Sequence, residues 1–228
     1  MKKYQIFKID IGKVNIFLLG LLLVLTLFLY FVFPDMLFSM YALFDNTKYL
    51  LMIVPMVILW SMLHELLHAL GYIINGANPK KITFGIEFEK GVFYCLCKSE
   101  ITKRNILISL MYPLFFIGIV TGVIAIIYKL PFLLLLSYFN ICGAAGDILY
   151  FIFIVRLDKD TCFSEMDDGT SFALITKKDL SKMKPFGLTY VDTVNSIPRK
   201  DFKRIKISKA SIPFLILGVL LIVIALFM

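Results

Sequence analysis

Long apolar runs separated by short polar stretches dominate the 228 residues. Five runs approach or exceed the ~20 apolar residues that a helix needs to cross a bilayer. They cover residues 15–33, 49–74, 106–128, 131–155 and 211–228. The first is longer than the apolar part of a secretory signal and has no small-x-small cleavage site after it, so it reads as a retained helix. Between the second and third runs the period changes. Ile82, Phe84, Ile86 and Phe88 alternate with Thr83, Gly85, Glu87 and Glu89, then Glu89-Lys90-Gly91 signals a turn, and 92–97 is again β-prone. Residues 80–98 therefore predict a hairpin. The other sizeable polar piece, 157–208, is marginal as an independent domain at about fifty residues. Within it, 170–176 reads as a short strand and the acidic stretch from Glu165 to Gly169 as a solvated turn. The pattern predicts an α-helical integral membrane protein of about five transmembrane helices, with a small cytosolic β-hairpin after the second.

Charge adds an orientation. Of the 24 Lys and Arg residues, only Lys48 and Lys129 fall in the connections after the first and third runs. The rest lie before the first run, between the second and third, and between the fourth and fifth. The positive-inside rule then puts the N-terminus in the cytoplasm and the C-terminus outside, in a multi-pass cell-membrane protein. The net charge of +8 is thereby a topology signal. Nucleic-acid binding is a poor use of it, because the charge is spread over three separate pieces. The six basic residues in 199–209 suit contact with anionic lipid. The four cysteines form no paired framework, and Cys95 and Cys97 read as small apolar positions of a strand.

The chemistry concentrates in one place. Both histidines of the chain belong to His64-Glu65-Leu66-Leu67-His68, inside the second apolar run. On a helix, positions i and i+4 share a face, so two imidazoles can meet one metal ion, and Glu65 can activate a metal-bound water. Carboxylates are costly in a membrane helix and are functional candidates there by default. Glu65 is one and Asp147, in the fourth run, is the other. Zinc requires a further protein ligand. Glu87, Glu89 and Glu100 are available, but Asp147 is the better choice on depth. At 1.5 Å per residue, His64 and Asp147 both lie roughly 15 residues in from the outer ends of their runs. Asn140 shares a helical stripe with Gly143 and Asp147, which allows either an interhelical hydrogen bond or a role in orienting substrate. The small residues Gly143 to Gly146 allow close helix packing.

The stretch from His64 to Gly71, the Gly146-Asp147 pair and the acidic 165–169 stretch resemble the putative zincin peptidases, small bacterial membrane proteins related to site-2 intramembrane metalloproteases. The resemblance implies Zn2+ held by His64, His68 and Asp147, with Glu65 catalytic. Unlike site-2 proteases, the chain has no proline between Asn140 and Asp147, and glycine precedes the aspartate. The expected function is a zinc-dependent metalloendopeptidase hydrolysing peptide bonds of membrane-associated substrates. Its partners would be a peptide or membrane-protein substrate and the lipid bilayer. The competing readings are a non-catalytic membrane metal-binding or scaffold protein and a metal or proton transporter. The absence of a repeat pair argues against the last.

Overall fold

The computed structural model describes residues 3–87, 92–166 and 169–196. The predicted hairpin turn, with Glu89, and the fifth apolar run with its basic approach lie outside the described residues. In chain order the elements are strand β1 (Tyr4–Ile9), helices α1 (Ile11–Val32), α2 (Pro34–Ala42) and α3 (Thr47–Ile74), strands β2 (Ile82–Glu87), β3 (Val92–Cys97) and β4 (Ile101–Thr102), helices α4 (Lys103–Pro113), α5 (Thr121–Ile127), α6 (Pro131–Gly143) and α7 (Ala145–Val155), and strands β5 (Cys162–Glu165), β6 (Ser171–Ile175) and β7 (Leu188–Val194). A π-helical stretch, Leu114–Val120, joins α4 to α5.

Among the described residues three helical segments are long and apolar enough to cross a membrane: Ile11–Val32, Thr47–Ile74 and Lys103–Ile127. The run at 131–155 is not one straight helix. It breaks at Ala144 into α6 and α7, bent by 45°, and counts as a fourth span only if the pair is taken together. The break falls in Gly143-Ala144-Ala145-Gly146, where small side chains offer little packing to hold a helix straight and glycine is a poor helix former. Its consequence is positional: Asp147 lies in the first turn of a new helix, where the exposed amide dipoles favour a carboxylate.

Two compact units partition the chain. The first comprises Met1–Phe17, Glu65–Tyr112 and Ala145–Ile205 and holds all the described strands. Its five-stranded antiparallel sheet has the order β4-β5-β6-β1-β7, and β2 and β3 pair separately as an antiparallel hairpin. The 157–208 piece is thus not self-contained. Its strands are completed by β1, 160 or more residues earlier, with Phe7 opposite Phe172 on one side and Tyr190 on the other. Phe7, Phe153 and Phe172 are all buried side chains of one core, and the Phe7 and Phe153 rings lie 5.2 Å apart. Tyr150 packs on Phe172 at 4.2 Å. These contacts fix α7 against the sheet. At the other end of α7, Lys103 Nζ donates to the carbonyls of Val155 and Leu157 at 2.7 and 2.6 Å, satisfying acceptors that the end of a helix leaves open.

The second unit comprises Leu18–His64, Pro113–Ala144 and Lys206–Met228. Its described part is helical. α6 contributes a buried face of Leu133, Leu134, Leu136, Ser137 and Asn140. Ser137 Oγ donates to the Gly118 carbonyl at 2.6 Å, and a Cβ at Gly122 would lie 2.6 Å from that hydroxyl. Glycine at 122 is what lets the two segments approach. Tyr138 Oη and Thr26 Oγ1 share a hydrogen bond of 2.8 Å.

Candidate metal centre

α3 carries the motif. Its apolar residues exceed the length needed for a helix, and Pro55 is its only interior proline. One helical turn therefore places His64, Glu65 and His68 so that one ligand atom from each lies within 4.8 Å of the others. His68 is buried.

Each histidine is held through Nδ1. In the first unit His68 Nδ1 lies 3.0 Å from the Ser109 carbonyl oxygen. A carbonyl can only accept, so this nitrogen carries the proton. The acceptor is available for a local reason. Pro113 has no N–H, so the Ser109 carbonyl four residues earlier lacks its usual helical donor, and the imidazole supplies one. In the second unit His64 Nδ1 lies 2.9 Å from Asn140 Oδ1. Asn140 Nδ2 donates to the Pro113 carbonyl at 3.1 Å. That second bond sets which way the amide faces, so Oδ1 is the acceptor and His64 Nδ1 the donor. Both rings are in the Nδ1–H tautomer, and Nε2 is the ligand-type nitrogen of each.

Asp147 meets the motif within the first unit, with Oδ2 3.3 Å from His68 Nε2. The contact is an ion pair when Nε2 also carries a proton, and the same spacing suits a cation shared by the two groups. Two ligands each ~2.0 Å from one ion at a tetrahedral angle lie about 3.3 Å apart. The His68–Asp147 spacing thus suits two ligands of one ion, while the group of three that could hold a metal among the described residues is His64, Glu65 and His68. Glu100 lies elsewhere: Tyr4 Oη donates to its Oε1 at 3.3 Å at the protein surface.

Two groups that hold this arrangement are not visible as a motif. Ser109 acts through its backbone and Pro113 through a missing hydrogen. Glu165, read above as part of a solvated turn, is instead at the end of β5 with its carboxylate engaged. Tyr72 Oη donates to Oε1 at 3.0 Å, and the Cys97 amide donates to Oε2. Burial pushes the Glu165 carboxyl up to about 7, against the pull of those two donors. Burial likewise raises the thiols of Cys95 and Cys97 on β3, which keeps them protonated. Their packing in the first core accords with a structural use.

Residues 57–162 match the family described as Putative zincin peptidase. The matched stretch contains the whole His64–His68 motif, Ser109, Asn140 and Asp147. No curated protein and no solved structure matches the chain. The match points to a metallopeptidase and implies zinc, and the His64-Glu65-His68 group is one that could hold it.

Proposed function

We propose that the protein is a membrane-embedded zinc metallopeptidase that cleaves peptide bonds of membrane-associated substrates. The observation that carries this reading is the preparation of the ligand atoms. Each histidine donates Nδ1–H to a fixed oxygen, and His68 Nε2 stands one tetrahedral edge from Asp147 Oδ2. Metal-binding histidines are almost always tied in this way through their second nitrogen.

His64, His68 and Asp147 would hold the ion. Bound there, zinc supplies Lewis acidity toward the scissile carbonyl and the attacking water. Glu65, beside both imidazoles, accepts the proton of that water and passes it to the leaving amine. Asn140 uses its amide on His64 and on Pro113, so it acts as a positioning residue for the ligand.

Membrane insertion is supported by exposure. Only 6% of the apolar window of α1 is buried, 17% of that of α3 and 28% of that of Lys103–Ile127. Contiguous apolar surface on this scale is rare in soluble monomers. Strand pairing supports four crossings among the described residues. β1 hydrogen-bonds to β6 and β7, so the segments before α1 and after α7 share one side of the bilayer. That requires an even number of crossings between them, with the bent α6–α7 pair counted as one. The weight of Lys and Arg makes this side the cytoplasmic one. A substrate helix would have to unwind at the site, since its backbone groups are otherwise paired internally.

Purified protein should contain about one zinc per chain. Glu65→Gln should retain the zinc and lose cleavage of a transmembrane-peptide substrate. Cleavage at the wild-type rate in that variant would remove Glu65 as the base, and with it the peptidase mechanism.

A further inference from the structure

We propose that Glu165 is a positioning residue for the metal-bearing turn, acting through Tyr72. The geometry is specific. Tyr72 lies four residues after His68, on the same face of α3 and one turn further on. It is 1% exposed, so its ring has no freedom to follow a displaced partner. Its hydroxyl donates to Glu165 Oε1 at 3.0 Å, and the other carboxylate oxygen accepts from the Cys97 amide of β3. Glu165 itself is held by the sheet, paired with Phe172 of β6. One side chain thereby connects the motif helix, the hairpin and the sheet.

The rotation of α3 decides where the His68 ring points. Two of the bonds that bear on that rotation in the first unit are His68 Nδ1 to Ser109 and Tyr72 Oη to Glu165. The first holds the ring and the second holds the helix beneath it. Glu165 touches neither substrate nor metal in this assignment. The link through Tyr72 adds to the direct charge interaction of Glu165 with His68 and Glu65, and Glu165 lies beyond the matched family stretch, which ends at residue 162.

The inference rests on the metallopeptidase reading, and a double-mutant cycle tests the two separately. Zinc affinity is measured by chelator competition in detergent at a temperature well below unfolding, with the melting temperature of the metal-free protein recorded alongside. Glu165→Leu removes both acceptors and should weaken zinc binding about 10-fold or more. Tyr72→Phe should weaken it to a similar extent. The double variant should be no weaker than Glu165→Leu alone, because both changes break one link. Glu165→Gln keeps an acceptor for Cys97 and an amide that Tyr72 can engage, and should recover affinity to within about threefold of wild type. A purely structural role would lower the melting temperature while leaving zinc affinity unchanged. Unchanged affinity in Glu165→Leu, or losses that multiply in the double variant, would overturn the inference while the zinc site stands. A wild-type protein that takes up no zinc would overturn both.

Discussion

Replacing Gly71 with alanine places a methyl group where α3 and α4 have no room for one. An added Cβ would sit 2.8 Å from the Cα of Ser109 and 3.1 Å from its Cβ and Oγ. Carbon–carbon contacts settle at about 3.5–4.0 Å, so the helices must part by roughly 0.7 Å or more. Overpacking of this kind costs on the order of 1–3 kcal/mol. The same movement stretches the His68–Ser109 bond from 3.0 Å to roughly 3.7 Å, outside hydrogen-bonding range. Loss of an orienting partner weakens a metal site about 10- to 100-fold. Gly71→Ala should therefore melt earlier and bind zinc at least about tenfold more weakly, though no ligand has been altered. Gly20→Ala is the matched control. Nothing lies within 4 Å of its Cβ, and alanine is favoured over glycine in a helix by about 1 kcal/mol. Chelator competition reads the affinity, and thermal unfolding of the metal-free protein reads the packing. Wild-type zinc affinity in Gly71→Ala would show that the Ser109 carbonyl does not orient His68.

Asp147→Ala should weaken zinc binding by at least about 100-fold, more than any positioning change, and equilibrium dialysis against a zinc buffer checks this. Asn140→Leu removes the acceptor for His64 Nδ1 and should cost about 10- to 100-fold in zinc affinity, with far-ultraviolet circular dichroism unchanged. The Glu165 carboxyl gives a pH dependence of definite sign. Its value rises from 4.5 in the unfolded chain to about 7 in the fold, so the folded state binds the proton more tightly. Its contribution to stability is present below about pH 4.5 and is lost as pH rises through 7, a change on the order of 3 kcal/mol. Denaturant midpoints of the metal-free protein should fall over this interval, and Glu165→Gln should flatten the fall.

Much of the helical framework is legible in the amino-acid order because it rests on local rules. Apolar runs of sufficient length mark α1, α3 and the 103–127 segment, and the i, i+4 spacing of His64 and His68 puts two imidazoles on one face before any packing is known. The alternation at 82–88 and the turn residues after it mark a hairpin by period alone. What escapes has a common cause: it depends on partners far apart in the chain. Tyr4 to Ile9 is too short to announce a strand, and becomes one because residues 171–175 and 188–194 flank it. Glu165 sits among acids and resembles a solvated turn, yet Tyr72, 93 positions earlier, draws it inward. Ser109 contributes a carbonyl, which every residue has. The one local trace of that role is Pro113, and a proline inside an apolar run reads as a kink before it reads as a vacated acceptor. The break at Ala144 lies between these cases, since the small residues are visible but the 45° bend is not.

The interior place of β1 in its sheet, between β6 and β7, has a bearing on how the molecule comes to be made. A ribosome delivers residues 4–9 before α1, yet their sheet neighbours emerge only after α7 has been synthesised. During that interval residues 4–9 lack the strands they pair with, and loop closure over such a separation is slow. The motif helix is thus in existence well before the sheet that packs in the same unit. The described sheet is complete only with residue 194, so chains cut short before that point carry the histidines without the whole sheet.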